Sequence, residues 1–576
     1  MSKQKKQSFL YGSTILMASM IIVKLIGAIF KIPLTNVLHE SGMGYFNSAY
    51  TIYTAVYALT VTGFSAAVAR MVAENCTRGR YRDVKNILSL ATKVFIIMGS
   101  IGFLIISLSA KAFAAGIDSE NSYWTVVMIA PAILFCCLMA SYRGYYEGLS
   151  DMKPTAITQV VEVVTKLITG LAFAYIVMGV ADKQYQSTGL VFGIAVDSAE
   201  AAITAAIPFA AAGAMLGVSV STFIGFLYIF ISYKVKGDYI TKEMLDKAPP
   251  PMRSKVLLMR LIKISIPITL GAVVLQLSAL IDMFTIMNRL TYTYQIAPDI
   301  LNAKYGMYLT QNENMHEFLY GCFTSSVTLF NLVPAFTSIF GKSALPNVTA
   351  AYTERNRSKL KVSIESVVRV TTLVAAPMAF GIAFMSGPIL RLLYKNLDGA
   401  INIGMLLLPT LGVAALFLAL VAPLNAIFQG IGRMDLPVKF LFTGALIKFV
   451  LNLILIGIPS INIMGGAIST IVCYGVIAAL SVFTLKNKVN VSLDFTSILI
   501  KPVISGFICG FSAFLCNFAL TKIATNSIIT VVSIGVGAVS YIISLAVLNA
   551  ISPDDVLMLP KGNKILKTLE KLHIIR

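Results

Sequence analysis

Several charged residues lie inside stretches of this chain that are otherwise apolar, and their types and spacing could bind a charged ligand. The residues singled out are Lys24, Lys31, Glu162, Lys166, Asp282, Arg289 and Lys448. If these stretches cross a membrane, each charge near the bilayer centre costs at least about 2.5–3.5 kcal/mol. Each charge therefore needs a partner, a wet cavity or a function.

Lys24 and Lys31 stand seven residues apart. On one helix they project from nearly the same face, about 10 Å apart along the axis. Two ammonium groups on one stripe suit a ligand with a diphosphate group, since Lys is a compact phosphate-binding charge. We predict that both line a substrate cavity. The alternative is that Lys31 extends to the outer surface and a carboxylate neutralises Lys24.

Asp282 and Arg289 repeat this seven-residue spacing in a later apolar stretch. Asp282 could hold Lys24 or Lys31 when substrate is absent, and Arg289 could add a positive charge at the outer mouth of the cavity. The alternative is an ordinary salt bridge, or an interfacial charge at the helix end.

Lys166 and Lys448 occupy the middle of two further apolar stretches. Glu162 precedes Lys166 by four residues, which predicts an intrahelical ion pair. The symmetric placement of the two lysines indicates either a shared cavity role or an inherited structural pair.

The chain contains no recognisable catalytic or metal-binding motif. His316-Glu317 begins like a zinc-protease motif, but Tyr320 stands where the second His is needed. Asp299, Glu313 and Glu317 are weak candidates for catalytic carboxylates. We predict no catalytic residue, no metal and no cofactor, so transport would depend on a coupling ion, the membrane potential or consumption of the product.

The elements that must position these charges are membrane-spanning helices. Hydrophobic residues make up 57% of the chain and charged residues 12%, well below the roughly 25% charged residues of soluble domains. The predicted spans cover residues 10–34, 45–71, 88–112, 123–146, 155–179, 207–233, 262–287, 318–340, 364–386, 402–428, 437–458, 464–485, 499–520 and 527–549.

When the loops are assigned alternately to the two sides of the membrane, most of the basic residues fall on one side. Of 46 Lys and Arg, 34 fall in or beside the stretches on the side of Ser2–Gln7, 7 on the other side and 5 within the spans. Because Lys and Arg favour cytoplasmic loops, both termini are predicted to be cytoplasmic. The net charge of +20 is explained by this topology and by anionic lipid, so no nucleic-acid partner is expected.

An internal repeat is visible. Residues 147–152 resemble residues 429–434 at an offset of 282, which also matches Lys166 to Lys448, and residues 78–82 resemble 355–359 at an offset of 277. We predict an all-α polytopic membrane protein of 14 transmembrane helices. Its predicted parts are two six-helix lobes (1–235 and 262–486) in a parallel pseudo-two-fold repeat, a basic cytoplasmic linker (236–261) and a C-terminal helix pair with a basic tail (487–576).

Three stretches resemble a known superfamily: residues 30–50, residues 63–74, and the junction 143–156 that begins Arg143-Gly144-Tyr145-Tyr146-Glu147-Gly148. The chain resembles the multidrug, oligosaccharidyl-lipid and polysaccharide flippases, in the branch of the stage V sporulation and lipid II flippase-like proteins. The resemblance implies a cationic cavity between two lobes, exposed alternately to the two sides. One departure is that residues 321–334 contain no charge, where that branch often has a basic residue.

These observations lead us to expect a flippase of the bacterial plasma membrane that translocates an undecaprenyl-diphosphate-linked saccharide. The saccharide would be a peptidoglycan, spore-cortex or polysaccharide precursor, and cell-wall synthesis proteins are possible partners. The first alternative is a cation-coupled multidrug exporter of the same superfamily. The second is an integral-membrane glycosyltransferase or polymerase acting on the same lipid carrier.

Overall fold

A computed structural model of the chain describes residues 9–309, 313–394, 397–433, 435–489, 494–522 and 527–550. The two predicted cytoplasmic ends, Ser2–Gln7 and 561–576, lie outside these described residues. The first eight helices are α1 (Phe9–Tyr57), α2 (Gly63–Thr77), α3 (Tyr81–Gly116), α4 (Tyr123–Gly148), α5 (Lys153–Thr188), α6 (Ala199–Lys236), α7 (Lys242–Asp246) and α8 (Ser254–Ile296). A two-stranded antiparallel hairpin, β1 (Leu190–Val191) and β2 (Ile194–Ala195), joins α5 to α6.

The remaining described helices complete an all-α architecture, as predicted. They are α9 (Pro298–Tyr305), α10 (Met315–Phe330), α11 (Leu332–Thr353), α12 (Arg357–Phe384), α13 (Ser386–Leu393), α14 (Asp398–Gly430), α15 (Asp435–Leu455), α16 (Met464–Val489), α17 (Lys501–Thr521) and α18 (Ser527–Val547).

Thirteen helical segments among the described residues are long and apolar enough to cross a membrane. The first, Ala18–Thr77, has 60 residues and would be about 90 Å long if straight, three times the hydrocarbon thickness. His39 interrupts it with a left-handed backbone conformation, φ 55°. This segment overlaps the first two predicted spans and each of the other twelve overlaps one, which accounts for all fourteen.

The chain forms two compact units. The first unit comprises Met1–Thr291 and Leu309–Gly321, and the second comprises Tyr292–Tyr308 and Cys322–Arg576. In the first unit, α2 packs on α3 and α4, α3 on α4, and α6 on both α4 and α5. In the second unit, α11, α12, α14, α15 and α16 form the same set of neighbours in the same order. This recurrence supports the repeat, while the lobe boundaries at 235 and 262 stay predictions.

Matching helix ends set the register of the repeat. Helices α4 and α14 end in equivalent sets of three backbone hydrogen bonds, offset by 282 residues. After α4, the N–H groups of Leu149, Ser150 and Asp151 donate to the carbonyls of Tyr145, Glu147 and Tyr146, respectively. After α14, the N–H groups of Ile431, Gly432 and Arg433 donate to the carbonyls of Ile427, Gln429 and Phe428. Gly79 after α2 and Arg355 after α11 both have positive φ, 70° and 55°, at an offset of 355 − 79 = 276. The predicted offset of 277 was therefore wrong by one residue, because it aligned basic side chains rather than the turn.

Within the second unit, the C-terminal helix pair packs through α17 on α12, and small residues form the contact. A Cβ at Gly506 would lie 2.6 Å from the Ala376 side chain, and one at Gly510 would lie 2.6 Å from the Phe380 carbonyl oxygen. Such close backbone approach is how helices associate in lipid, where burial of apolar surface supplies little. Most large apolar side chains of α18 are exposed, as expected for a helix that faces acyl chains.

Candidate functional site

Lys31 is fixed by the turn within α1. The chain reverses at His39, and this brings Asn47 beside Lys31, with the ammonium Nζ 3.0 Å from Asn47 Oδ1. The amide Nδ2 of Asn47 donates to the Met43 carbonyl at 2.8 Å. That second bond orients the amide so that its oxygen faces Lys31, which holds a half-buried ammonium group in one place.

Lys166 approaches the same place from α5. Its Nζ lies 4.4 Å from the centre of the Tyr50 ring and 5.2 Å from the centre of the Phe30 ring. Both distances are within the range of cation–π attraction. The aromatic faces stabilise the ammonium without neutralising it, so its charge remains available.

Lys24, Lys31 and Lys166 form one electrostatic group, hereafter the lysine cluster. Lys24 is exposed on α1, seven residues before Lys31, and Lys166 contacts the ring of Phe30, the residue next to Lys31. Three like charges within membrane-spanning helices repel one another and lose hydration. An anionic ligand with several oxygens would relieve both costs.

The predicted pair between Glu162 and Lys166 was wrong. Glu162 instead accepts a hydrogen bond from Arg143, with Nη2 3.0 Å from Oε2, and Arg143 Nε donates to Thr158 Oγ1 at 3.0 Å. An intrahelical pair contributes only about 0.2–0.5 kcal/mol, whereas the planar guanidinium of α4 holds the carboxylate by a charge-assisted bond. Since Glu162 neutralises Arg143, the lysine cluster keeps its positive charge.

Asp282 and Arg289 lie on α8 of the first unit. The negative charge of Asp282 acts on the hydroxyl of Tyr320 at the start of α10. The predicted pairing of Asp282 with Lys24 or Lys31 and the placement of Arg289 at the outer mouth stay predictions.

Lys448 is buried in the second unit, with 2% of its surface exposed. Its Nζ lies 5.8 Å from the centre of the Tyr474 ring on α16. Asn452, one turn further along α15, hydrogen-bonds Ser469. These contacts place Lys448 within the packing of α15 against α16.

A polar network that the sequence did not predict surrounds Glu317. This carboxylate is 1% exposed and accepts hydrogen bonds from Tyr45 Oη at 2.6 Å, Ser119 Oγ at 2.5 Å and Asn314 Nδ2 at 2.9 Å. The backbones are in close contact here, since a Cβ at Gly44 would lie 2.9 Å from the Glu317 carbonyl oxygen. The sequence offered Glu317 only as a weak catalytic candidate, whereas three hydrogen-bond donors around one buried carboxylate indicate a structural role.

No metal site is apparent in the described part of the chain, where no group of three or more His, Cys, Asp and Glu side chains could hold a metal ion. Long apolar helices that carry charged residues among them define a polytopic membrane protein.

Comparison with known proteins identifies the family. Residues 9–340 match the family described as polysaccharide biosynthesis protein, and residues 322–454 match the MatE family. The first match covers more than half of the 576 residues, and the chain belongs to the polysaccharide biosynthesis protein family.

Two relatives come from Bacillus subtilis (strain 168). The lipid II flippase MurJ is 24% identical over 458 residues, which are 78% of this chain and 77% of the flippase. Stage V sporulation protein B is 22% identical over 559 residues, 96% of this chain and 98% of that protein. The flippase-like resemblance found in the sequence is thereby confirmed.

Solved structures share the fold. Lipid II flippase MurJ in an inward closed conformation superposes with a TM-score of 0.56 at 13% identity, covering 92% of this chain and 97% of that one. An inward-facing multidrug resistance MATE family transporter of the MOP superfamily gives 0.56 at 14% identity, covering 81% and 98%. Given these relatives, the chain is a multi-pass membrane protein of the flippase and transporter class and not an enzyme.

Proposed function

We propose that this chain is a flippase of the bacterial plasma membrane that moves an undecaprenyl-diphosphate-linked saccharide by alternating access. The observation that carries the proposal is the lysine cluster, three ammonium groups on membrane-spanning helices of the first unit. The family and the flippase relative support the same class of substrate.

The diphosphate head would bind the lysine cluster while the lipid tail remains in the bilayer. A diphosphate carries several anionic oxygens, so it can accept from more than one ammonium group at once. Asn47 would hold Lys31 in place, and the rings of Phe30 and Tyr50 would hold Lys166. The saccharide is then selected elsewhere, because these groups contact only the phosphates.

The proposal includes the predicted topology. Both termini would be cytoplasmic, and the lobes 1–235 and 262–486 would reorient about the site. Cell-wall or spore-cortex synthesis would supply the substrate and use the product, so proteins of that synthesis are proposed partners.

A cation-coupled multidrug exporter is the second candidate, which the MatE match over residues 322–454 favours. Such an exporter needs carboxylates within its lobes to bind cationic drugs and coupling ions. Glu162, the carboxylate one turn before Lys166 on α5, is already paired with Arg143. The positive charge of the lysine cluster favours an anionic substrate over a cationic one.

The proposal is tested by translocation of a lipid-linked saccharide in proteoliposomes. Lys24→Ala should abolish translocation without changing expression or membrane insertion, and Lys24→Arg should keep partial activity because the charge survives. The double variant Lys24→Ala, Asp282→Ala should remain inactive, since the role of Lys24 is to bind substrate.

Lys93→Ala is the matched control. Lys93 is an exposed lysine within the apolar helix α3, and the lysines whose charges act on Lys31 are Lys166 and Lys24. Wild-type translocation by Lys24→Ala, or an equal loss in Lys93→Ala, contradicts the proposal. Recovery of activity in the double variant would reduce Lys24 to a charge partner of Asp282.

A further inference from the structure

The first unit contains a cavity of about 490 Å³ that the lysine cluster does not line. Its walls come from the start of α4, strand β2 and the residues after it, the start of α6, and Ser41 and Tyr45 of α1. In the predicted topology these segments lie on the outer side. The volume is in the range of small-molecule sites, far larger than a bare ion requires.

An exposed aromatic pair borders the cavity. Trp124 is 45% exposed, and its ring packs edge-on against Tyr123 with the centroids 5.0 Å apart. Tyr45 and Phe209 add two further aromatic rings to the lining. Trp124 is also the single tryptophan of the chain. A large, half-exposed aromatic side chain beside a concave surface is available to a ligand in that cavity.

The charge of the cavity is opposite to that of the protein. Glu120, Asp197 and Glu313 line it, and no lysine, arginine or histidine is among the described residues of the lining. This occurs in a chain whose net charge is +20. Glu313 is held by Ser41, whose Oγ lies 2.6 Å from Oε1, which fixes one carboxylate against the wall.

The arrangement of these groups distinguishes between ligand classes. A bare metal ion is not favoured, since no three acidic, Cys or His side chains of the described chain converge closely enough to hold one. A neutral saccharide would use the aromatic rings but would offer no positive charge to the carboxylates of Glu120 and Asp197. An organic ammonium group interacts favourably with aromatic faces and with carboxylates at the same time.

We propose that this outer cavity binds an organic ammonium group, either that of a free amine or that of a zwitterionic lipid headgroup. The ammonium lies against Trp124 and Tyr123, with Glu120 and Asp197 supplying the opposite charge. The proposal is independent of what the protein transports, because none of these residues belongs to the lysine cluster.

Trp124 reports directly on this site. The purified full chain in detergent is titrated with choline and, separately, with its neutral isostere 3,3-dimethyl-1-butanol and with glucose, while tryptophan emission is followed at constant ionic strength. We expect a saturable change with choline and none with the two neutral compounds. The same measurement in nanodiscs of phosphatidylcholine and of phosphatidylglycerol distinguishes a free amine from a lipid headgroup. If the ligand is a headgroup, the emission without added choline should be altered in phosphatidylcholine nanodiscs and not in phosphatidylglycerol nanodiscs.

Charge variants complete the test. Asp197→Asn and Glu120→Gln should each weaken choline binding about tenfold, the effect of about 1.4 kcal/mol. Glu200→Gln, an exposed carboxylate in the first turn of α6 outside the cavity lining, should bind like the wild type. Equilibrium dialysis of labelled choline checks any variant with altered emission. Equal responses to choline and its isostere, no response to either, or saturation by glucose alone would overturn the proposal.

Discussion

Lys166 and Lys448 take the same place in the predicted repeat but have different surroundings. Lys166 is half-buried against the rings of Phe30 and Tyr50, and its charge acts on Lys31. Lys448 is 2% exposed and lies within the packing of α15 on α16. The same position of the predicted repeat thus has different neighbours in the two units: Lys166 of the first unit lies beside other lysines, and Lys448 of the second unit is enclosed in the core.

The largest expected difference between these lysines is in transport. Lys166→Met should reduce translocation about 10- to 100-fold, since it removes one charge-assisted contact of about 1.5–3 kcal/mol from the bound diphosphate. Lys448→Met keeps the side-chain length and should leave translocation near the wild-type rate. Proteoliposome assays of both variants, normalised to reconstituted protein, measure the ratio. Equal losses would mean that the two lysines share a role and would remove the contrast.

The second prediction concerns which cation Glu162 neutralises. Glu162→Gln should lower the free energy of unfolding by about 1–3 kcal/mol, less than for a fully buried pair because both side chains are partly exposed. A double-mutant cycle of Glu162→Gln with Arg143→Met, followed by thermal unfolding in detergent, should give a clear coupling energy. The matching cycle with Lys166→Met should give almost none. A larger coupling energy for Glu162 with Lys166 than with Arg143 would instead support the intrahelical pair of Glu162 and Lys166.

The third and smallest effect tests how Lys31 is held. Asn47→Asp places a carboxylate 3.0 Å from the ammonium where the amide oxygen now accepts, and this carboxylate competes with an anionic substrate. We expect about tenfold weaker substrate binding, a loss near 1.4 kcal/mol, together with unchanged or higher thermal stability. Asn47→Ser is the uncharged control, and it should bind substrate more tightly than Asn47→Asp. Equal affinities of the two variants would indicate that the substrate does not approach Lys31.

Helical periodicity was enough to place Lys24 and Lys31 on one face, because both lie on one helix and a seven-residue spacing is nearly two turns. Counting spans also succeeded, since apolar length is a property of the sequence alone. The side of the membrane on which the basic loops lie stays a prediction. The sequence did not indicate the position of the turn at His39, because the connection between the first two spans is almost entirely helical.

The remaining features depend on contacts between helices that are distant in sequence. Lys166 joins Lys31 only because α5 packs on α1, and Glu162 selects Arg143 of α4 over the lysine of its own helix. Spacing along one helix does not show which residue of another helix will be the closer partner. The buried Glu317 network is a similar case, since its donors Tyr45, Ser119 and Asn314 come from three separate parts of the chain.

Equilibrium binding of undecaprenyl diphosphate to the purified protein tests the central claim most directly. The wild type should bind the diphosphate at least about tenfold more tightly than the uncharged undecaprenol, because charge-assisted bonds to the lysine cluster contribute more than about 1.4 kcal/mol. Lys31→Ala should remove most of that preference, and Lys93→Ala should retain it. A wild type that binds both lipids equally, or a preference that survives in Lys31→Ala, would contradict the account.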